Sequence, residues 1–176
     1  MMVWNGSTGS WKAEPDVARR ILFLCTGNIC RSPMAEYLLR DRLQEMGVAD
    51  VIVESAGFLT EGNPPCPVAA GMLAAAGTDM TGHRSRIVTR AMLEKADMVL
   101  GMEKRHLGLA MDLSPSTIKR MALLAKYIRG REKMEIPDPY GKSPEDYRQA
   151  LELIREGVEA LAHELAGQAP GAGNVG

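Results

Sequence analysis

The chain has 176 residues, of which 45% are hydrophobic and 24% charged, a composition typical of one soluble globular domain. Its 21 basic and 22 acidic residues give a net charge of -1, so the composition gives no reason to expect nucleic acid or a membrane surface as a partner. No apolar run reaches the roughly 20 residues of a membrane span, and the first residues lack the apolar segment of a signal peptide. Three cysteines, an odd number, do not make a disulfide framework, so a cytoplasmic location is expected.

Both ends of the chain differ in composition from the part between them. Residues 1–19 are polar and contain Gly, Ser and Pro, and we expect them to form a flexible leader. Residues 167–176 are rich in glycine and are expected to form a flexible tail. A single folded domain is therefore expected over residues 20–166.

Strands and helices alternate along this domain. Residues 21–24 form a short apolar run, typical of a strand that is buried on both faces. Pro33 favours a helix that opens at Ser32 and runs to about Met46, because a missing N–H is harmless in a first turn. The later segments are predicted as a strand over 51–53, a loop over 58–67, helices over 68–76, 89–96 and 103–111, a strand over 98–100 and a fourth strand within 118–124.

The last helix has the clearest sequence pattern. Ser143 is expected to cap it and Pro144 to occupy its first position. Its apolar residues repeat at steps of three and four, which places them on one core-facing side: Tyr147, Leu151, Ile154, Val158, Leu161 and Leu165. The whole alternation predicts an α/β fold, a doubly wound three-layer sandwich with a four-stranded parallel sheet and helices on both faces. Ligands bind such sheets beyond the carboxyl ends of the strands.

The loop after the first strand has the residues needed to bind an anion. It reads Cys-Thr-Gly-Asn-Ile-Cys-Arg-Ser-Pro over 25–33, and Gly27 permits a tight turn before the helix. A strand, a tight loop and a helix N-terminus in succession direct backbone N–H groups and the helix dipole at one point. Cys25 is expected to be a thiolate nucleophile there, and the planar guanidinium of Arg31 is expected to grip two phosphate oxygens.

The remaining loop residues are expected to support this chemistry. The Ser32 hydroxyl can donate to the thiolate, and the Asn28 side chain can hold the unusual backbone of the loop. Because a guanidinium and backbone amides supply positive charge, no metal and no cofactor is expected. The phosphate oxygens are expected to bind the backbone amides of Thr26, Gly27, Asn28, Ile29, Cys30 and Arg31.

This loop resembles the phosphate-binding loop of the low-molecular-weight protein tyrosine phosphatases, and scattered matches run from about Ile21 to Leu165. The resemblance implies a phosphatase domain over 20–166 that hydrolyses phosphotyrosine in a protein or peptide through a phosphocysteine intermediate. It also implies that Cys30 lies close to Cys25 and can trap it as a reversible disulfide. The oligomeric state is left open.

A phosphatase of this kind needs a carboxylic acid that protonates the leaving oxygen. Asp138 is the candidate, because Pro137 and Pro139 restrict the backbone around it and favour an extended conformation. From composition alone, an acid and an ordinary turn aspartate are equally expected. The segment resembles the Asp-Pro-aromatic loop of the family, which favours the acid.

The resemblance also suggests the walls of the substrate cleft. Tyr140 is expected to stack on an aryl group, and Leu59 falls where relatives often carry another aromatic wall. Ile29 is expected to contact the same group beside the nucleophile. His83 is expected to support the loop through Asn28, as a histidine does in the family.

Several charged side chains receive no role. His106 and His163 lie on predicted helices, have no evident partner and are expected to be exposed. Arg84, Arg86 and Arg90 could form a basic rim, but a solvated face is favoured.

Three rival functions differ in the residues that they need. An arsenate reductase on this scaffold needs two further cysteines well downstream, and only Cys66 follows Cys30. A phosphoarginine phosphatase is the main alternative; bacterial relatives of that kind tend to carry Thr at the place of Ile29, and an apolar Ile29 favours an aryl ring. A phosphate-binding protein without activity would be expected to lack Cys25 or Asp138, and both are present.

Overall fold

The computed structural model describes residues 2–5, 10–13 and 18–167. Within these ranges the strands are β1 (Met2–Asn5), β2 (Ser10–Ala13), β3 (Arg19–Leu24), β4 (Val51–Ala56), β5 (Met98–Gly101) and β6 (Met121–Leu123). The α-helices are α1 (Arg31–Glu45), α2 (Pro67–Ala75), α3 (Arg90–Lys95), α4 (Lys104–Leu113) and α5 (Pro144–Gly167). Two 3₁₀ helices, Pro115–Arg120 and Leu124–Tyr127, flank β6.

Four strands form a parallel sheet in the order β4-β3-β5-β6. Along β3, Ile21 and Phe23 belong to the core that contains residues of α1, α2 and α5. Their neighbours Leu22 and Leu24 belong to a second core, which contains residues of α3 and α4. Because side chains alternate across a strand and both faces are covered, β3 is apolar at every buried position. The predicted fold class is confirmed.

The predicted strands and helices of the folded domain are all present, with ends that differ by a few residues. The six predicted apolar residues of α5 are all buried. Ser143 caps this helix: its Oγ accepts from Asp146 N at 3.3 Å, and its N donates to Asp146 Oδ2 at 3.0 Å. No helix among the described residues combines the length and the apolar composition needed to cross a membrane.

The N-terminal stretch contains strands that the sequence analysis did not predict. β1 and β2 pair as an antiparallel ladder, and β3 already begins at Arg19, inside the predicted leader. The other leader residues up to 17, and residues 168–176 of the predicted tail, lie outside the described residues. The flexible leader and tail therefore stay predictions.

The carboxyl edge of the sheet gathers the segments of the candidate site. The loop over 25–30 connects β3 to α1, and Glu103 follows β5. Ile136 N donates to Met102 O at 2.9 Å, which ties the segment before α5 to the same edge.

Gly57, directly after β4, packs against the β3–α1 loop. The backbone continues this contact, since Phe58 N donates to Thr26 O at 2.8 Å. A Cβ at Gly57 would lie 2.8 Å from both Thr26 O and Asn28 N, a distance that only movement of the loop backbone could relieve. Glycine therefore lets β4 approach the loop closely enough to support it.

Candidate active site

The β3–α1 loop wraps around the sulfur of Cys25. Cys25 Sγ accepts hydrogen bonds from Asn28 N at 3.2 Å and from Ser32 Oγ at 2.9 Å. Two donors that face the sulfur are the arrangement that a thiolate nucleophile requires. Cys25 lies at a cavity of about 180 Å³ that opens at this edge of the sheet.

Asn28 holds the loop in shape. Its φ of +53° lies in the left-handed region, which Asn tolerates better than most residues. The buried amide donates from Nδ2 to Ser32 Oγ at 3.0 Å and to Ser55 Oγ at 2.8 Å, and Oδ1 accepts from Arg86 N at 2.8 Å. These bonds use both N–H groups of Nδ2 and the oxygen Oδ1, so they fix the side chain of Asn28 and, through it, its backbone.

His83 supports Asn28 from the other side of the loop. Its Nε2 donates to Asn28 O at 2.7 Å, which requires the proton on Nε2. Burial lowers the pKa of His83 and favours the neutral ring. The contact joins His83 to the backbone of Asn28, as the resemblance implies.

A buried carboxylate beneath the loop was missed by the sequence analysis. Ser55 Oγ accepts from Asn28 and donates to the carboxylate of Glu36, which also pairs with Arg40 Nη2 at 2.5 Å. Both Glu36 and Ser55 are buried. A charged residue on the core face of a helix is the signal that could have revealed it, because such a residue needs a buried partner.

Arg31 is the largest fully buried side chain in the described part of the protein, at 1% exposure. Its Nη1 donates to Ile136 O at 2.8 Å and to the Glu103 carboxylate, and its Nη2 pairs with Asp138 Oδ2 at 2.7 Å. Burial raises the pKa of Glu103, but hydrogen bonds from Arg105 and Arg31 outweigh this effect and lower it. Glu103 therefore stays ionised and compensates a guanidinium charge that has left water.

Asp138 lies over the cavity that Cys25 and Arg31 line. Its carboxylate remains 34% exposed, so it meets both the cavity and the solvent. Oδ1 accepts from Tyr140 N at 3.2 Å, and Oδ2 lies 3.8 Å from Arg105 Nη2 as well as against Arg31. The structure thus brings the predicted thiol, guanidinium and carboxylate together at one cavity.

The mouth of the cavity is apolar. Leu59 and Tyr140 line it and are 67% and 63% exposed, and Ile29 lines it deeper in the loop. Thr60, which was not predicted, also lines the cavity and donates from Oγ1 to Gly27 O at 2.8 Å. A flat ring that enters between these side chains would bury apolar surface on them.

The prediction that His106 is exposed is wrong, because the ring is 1% exposed. Its Nδ1 accepts from Glu103 N at 3.1 Å, and its Nε2 donates to Thr26 Oγ1 at 2.9 Å. The ring also stacks on Phe58, with centroids 6.2 Å apart. Burial, followed by the charge of Arg31, lowers the pKa of His106 to about 4, so the neutral ring holds the start of the loop.

Arg105, also missed, places a second cation beside Thr26 and Asp138, two residues that line the cavity. Its Nε pairs with Glu103 Oε2 at 3.0 Å, and its Nη2 donates to Thr26 Oγ1 at 2.9 Å. The position directly after β5 was the one available signal, since loops at the carboxyl edge carry function in such sheets.

The other charged side chains considered above lie away from the cavity. His163 is exposed, as expected, and contacts Glu159 at 2.9 Å. Arg86 is tied to Glu54 at 3.3 Å and to Ser55 O at 2.9 Å, so it is not a free rim cation, whereas Arg84 and Arg90 are exposed. Within residues 18–167, no group of three His, Cys, Asp or Glu side chains is arranged to hold a metal ion.

Comparison with known proteins identifies the same residues as a family domain. Residues 20–170 match the family model described as low molecular weight phosphotyrosine protein phosphatase. The low molecular weight protein-tyrosine-phosphatase Etp of Escherichia coli is 34% identical over 148 residues, which cover 83% of this chain and 94% of Etp.

Two solved structures are also similar. Wzb of Vibrio vulnificus, in complex with benzylphosphonate, aligns with a TM-score of 0.75 and 31% identity over 84% of this chain and 99% of that one. The YwlE arginine phosphatase from Geobacillus stearothermophilus aligns with a TM-score of 0.77 and 32% identity over 85% of this chain and 94% of that one.

A parallel sheet with a thiol and a guanidinium on the loop after a central strand is the architecture of a cysteine phosphatase. The chain belongs to the low molecular weight phosphotyrosine protein phosphatase family. Its relatives include proteins named as tyrosine phosphatases and as an arginine phosphatase at similar identity, so family membership alone does not define the phosphorylated residue.

The buried neutral state of His106 predicts a pH-dependent stability. The pKa of His106 is about 4 in the folded protein, against 6.5 for a free histidine, so below 6.5 the unfolded chain binds more protons. The free energy of unfolding should therefore fall as the pH decreases from about 6.5 to about 4. In His106→Asn the fall should be shallower, which urea unfolding at several pH values measures.

Gln149→Asn, at an exposed residue of α5 that carries no titratable group, is the control and should keep the wild-type slope. An unaltered slope in His106→Asn would show that its ring is protonated equally in both states.

Proposed function

We propose that this protein is a cysteine-dependent protein phosphatase that hydrolyses phosphotyrosine through a phosphocysteine intermediate. The observation that carries the proposal is the convergence of Cys25, Arg31 and Asp138 at one cavity whose mouth is apolar. Family membership supports the phosphatase chemistry, and the side chains around the cavity support the choice of substrate.

Binding of the substrate begins at Arg31. Its Nη1 donates hydrogen bonds to Glu103 and Ile136 O. The Nη2 group, which pairs with Asp138, is therefore the one that can bind a phosphate oxygen when Asp138 is displaced. A phosphate dianion carries more charge than the carboxylate and also meets the loop amides, so it displaces Asp138. The displaced carboxylate takes up a proton from the solvent and remains at the mouth, beside the oxygen that joins the phosphorus to the substrate.

The first chemical step transfers the phosphoryl group to Cys25. The thiolate attacks phosphorus, the bond from phosphorus to the leaving oxygen breaks, and protonated Asp138 gives its proton to that oxygen. Arg31 and the loop amides bind the equatorial oxygens, where charge is concentrated in the transition state.

The second step restores the thiolate of Cys25 and the proton of Asp138, and that proton is lost to the solvent when phosphate leaves and Asp138 pairs with Arg31 again. Asp138, now a carboxylate, removes a proton from a water molecule that attacks the phosphocysteine. The sulfur–phosphorus bond breaks, Cys25 leaves as a thiolate, and inorganic phosphate is released. Asn28 N and Ser32 Oγ, which face the sulfur, stabilise that leaving thiolate.

Phosphotyrosine is favoured over phosphoarginine by the polarity of the walls. Ile29, Leu59 and Tyr140 offer carbon surface to a substrate that enters the cavity. An aryl ring gains from contact with these side chains, whereas a guanidinium needs polar partners to replace the water that it loses. The location that we propose is the cytoplasm, because the three cysteines are all unpaired and the mechanism requires a reduced Cys25.

Loss of the acid should affect poor leaving groups most. In Asp138→Asn, kcat/KM for a phosphotyrosine peptide should fall by about 100-fold or more, because the tyrosine oxygen must be protonated as it leaves. For p-nitrophenyl phosphate the loss should be much smaller, because its leaving oxygen is stable without a proton. Steady-state kinetics on both substrates measure the difference.

Asp112→Asn, at an exposed aspartate of α4, is the control and should change neither value. Equal losses on both substrates in Asp138→Asn would contradict the acid role.

Exchange of one wall residue should alter the substrate preference. The wild type should hydrolyse a phosphotyrosine peptide faster than the phosphoarginine peptide of the same sequence. Ile29→Thr should shift the ratio of the two kcat/KM values by about tenfold toward phosphoarginine, because a hydroxyl replaces the ethyl branch of isoleucine beside the phosphate.

Ile29→Val has the shape of the threonine variant without its hydroxyl, so it should keep the wild-type preference. A wild type that prefers phosphoarginine would overturn the choice of substrate and leave the phosphatase assignment standing.

A further inference from the structure

The proposed mechanism uses the thiol of Cys25 and gives no role to the thiols of the other two cysteines. Cys30 and Cys66 are both buried, at 4% and 7% exposure, and share one hydrophobic core with Cys25. All three thiols are unpaired. Cys30 precedes the first residue of α1 and Cys66 precedes the first residue of α2, so two helix N-termini meet beneath the loop.

A backbone hydrogen bond sets how far apart Cys30 and Cys66 can be. Cys66 N donates to Ile29 O, the carbonyl joined to Cys30, at 2.7 Å. Since bond lengths fix the rest of this path, the two Cα atoms cannot be more than about 7 Å apart. Disulfides join Cα atoms separated by about 4.4–6.8 Å, so the backbone permits a bond between these cysteines.

Cys66 has a hydrogen-bonding partner at its sulfur. The Tyr147 hydroxyl contacts Cys66 Sγ at 3.1 Å. Burial and the neighbouring Cys66 raise the pKa of Tyr147, so the hydroxyl keeps its proton and can donate it to the sulfur.

Cys30 has thiol neighbours on two sides. Burial raises the pKa of Cys30, and so do its two neighbours Cys66 and Cys25, of which Cys66 has the larger effect. Cys30 therefore stays a neutral thiol in the reduced protein, between the nucleophile and a third thiol.

We propose that Cys25, Cys30 and Cys66 form a disulfide relay that moves peroxide oxidation away from the nucleophile and stores it in a Cys30–Cys66 disulfide. The proposal rests on the proposed function for the role of Cys25 as the thiolate that lines the cavity. It adds Cys66 as a redox site remote from the reacting phosphate, since Cys66 does not line the cavity.

Each step of the relay balances. Hydrogen peroxide oxidises the Cys25 thiolate to a sulfenic acid and is itself reduced to water. The Cys30 thiol attacks that sulfur, a second water leaves, and a Cys25–Cys30 disulfide forms. Cys66 then attacks the Cys30 sulfur, the Cys25–Cys30 bond breaks and Cys25 leaves as a thiolate, balanced by the proton that Cys66 gives up.

The direction of the last step follows from the leaving group. Asn28 N and Ser32 Oγ donate to Cys25 Sγ, so the departing thiolate is solvated by the loop as it forms. Thiol–disulfide exchange is faster and more favourable when the leaving thiolate is the more stable one. The product restores the nucleophile while Cys30 and Cys66 hold the oxidising equivalent.

Tryptic digestion distinguishes the two disulfides of the relay. Cys25 and Cys30 lie in one tryptic peptide, 21–31, whereas Cys66 lies in another, 43–84. A Cys25–Cys30 disulfide removes two hydrogen atoms from peptide 21–31, and a Cys30–Cys66 disulfide joins the two peptides. The protein is reduced, the added reductant is removed, and one equivalent of hydrogen peroxide is added. The product is then alkylated, digested with trypsin and analysed by mass spectrometry. Phosphatase activity is assayed before and after the peroxide treatment.

In the wild type we expect the joined peptides, with Cys25 alkylated and activity retained without added thiol. In Cys66→Ser we expect the internal disulfide of peptide 21–31 and a remaining activity at least about fivefold lower than in the wild type. Both proteins should have equal activity before peroxide. Cys66→Ala repeats the test with a side chain that cannot donate a hydrogen bond. The peptide map of the wild type tests the relay even where a variant fails to fold.

Several results would overturn the relay. One is a Cys25–Cys30 disulfide in peptide 21–31 of the wild type to the same extent as in Cys66→Ser. The others, also in the peroxide-treated wild type, are a sulfinic acid at Cys25 and joined peptides accompanied by a loss of activity. Joined peptides that contain Cys25 in place of Cys30 would also contradict it. A protein without phosphatase activity before peroxide would contradict the proposed function instead, and the peptide map would still report on the thiols.

Discussion

The loop around Cys25 keeps its shape because Asn28 is held in a left-handed backbone conformation that few side chains adopt. Such a conformation costs about 1–2 kcal/mol for an ordinary residue. Hydrogen bonds to Ser32, Ser55 and the backbone of Arg86 offset that cost, and the first two are buried. With this backbone fixed, the Asn28 N–H faces the sulfur and the Asn28 carbonyl faces His83. One conformational choice therefore positions the nucleophile and anchors the loop to two neighbouring segments.

The second constraint is the charge of Arg31, which is buried and must be compensated. Glu103 and Ile136 O hold Nη1 from the side of the sheet, and Asp138 holds Nη2 from the side of the solvent. The first pair is part of the fold, whereas Asp138 lies on a half-exposed segment and can exchange with a phosphate. The pairing with Asp138 therefore compensates the guanidinium charge in the absence of substrate. When a substrate displaces Asp138, the acid already lies beside the leaving oxygen.

Local patterns in the sequence predicted the fold well. The apolar run at 21–24 and the apolar side of α5 are properties of contiguous residues, and each appears in the structure where it was expected. The residues of the β3–α1 loop are also contiguous, so their convergence on one point follows from the loop itself. Asp138 required the family resemblance, because an aspartate between two prolines is equally common in an ordinary turn.

Three of the residues that were missed lie where β5 ends beside β3. Glu103, Arg105 and His106 reach the loop only because these two strands are neighbours in the sheet. The order of strands depends on the packing of the whole domain, and the segment 103–106 shows only that it follows a strand, not which strand lies beside it. His106 was expected to be exposed for the same reason, since its partner Thr26 is 80 residues away.

The central claim is that the sulfur of Cys25 carries the phosphoryl group during turnover. A rapid-quench reaction with a phosphotyrosine peptide, stopped by alkaline denaturation and followed by proteolysis and mass spectrometry, tests it directly. The account predicts a transient phosphoryl adduct on peptide 21–31, located by fragmentation at Cys25 and absent from Cys25→Ala. An adduct at another residue, or turnover by Cys25→Ala at the rate of the wild type, would contradict it.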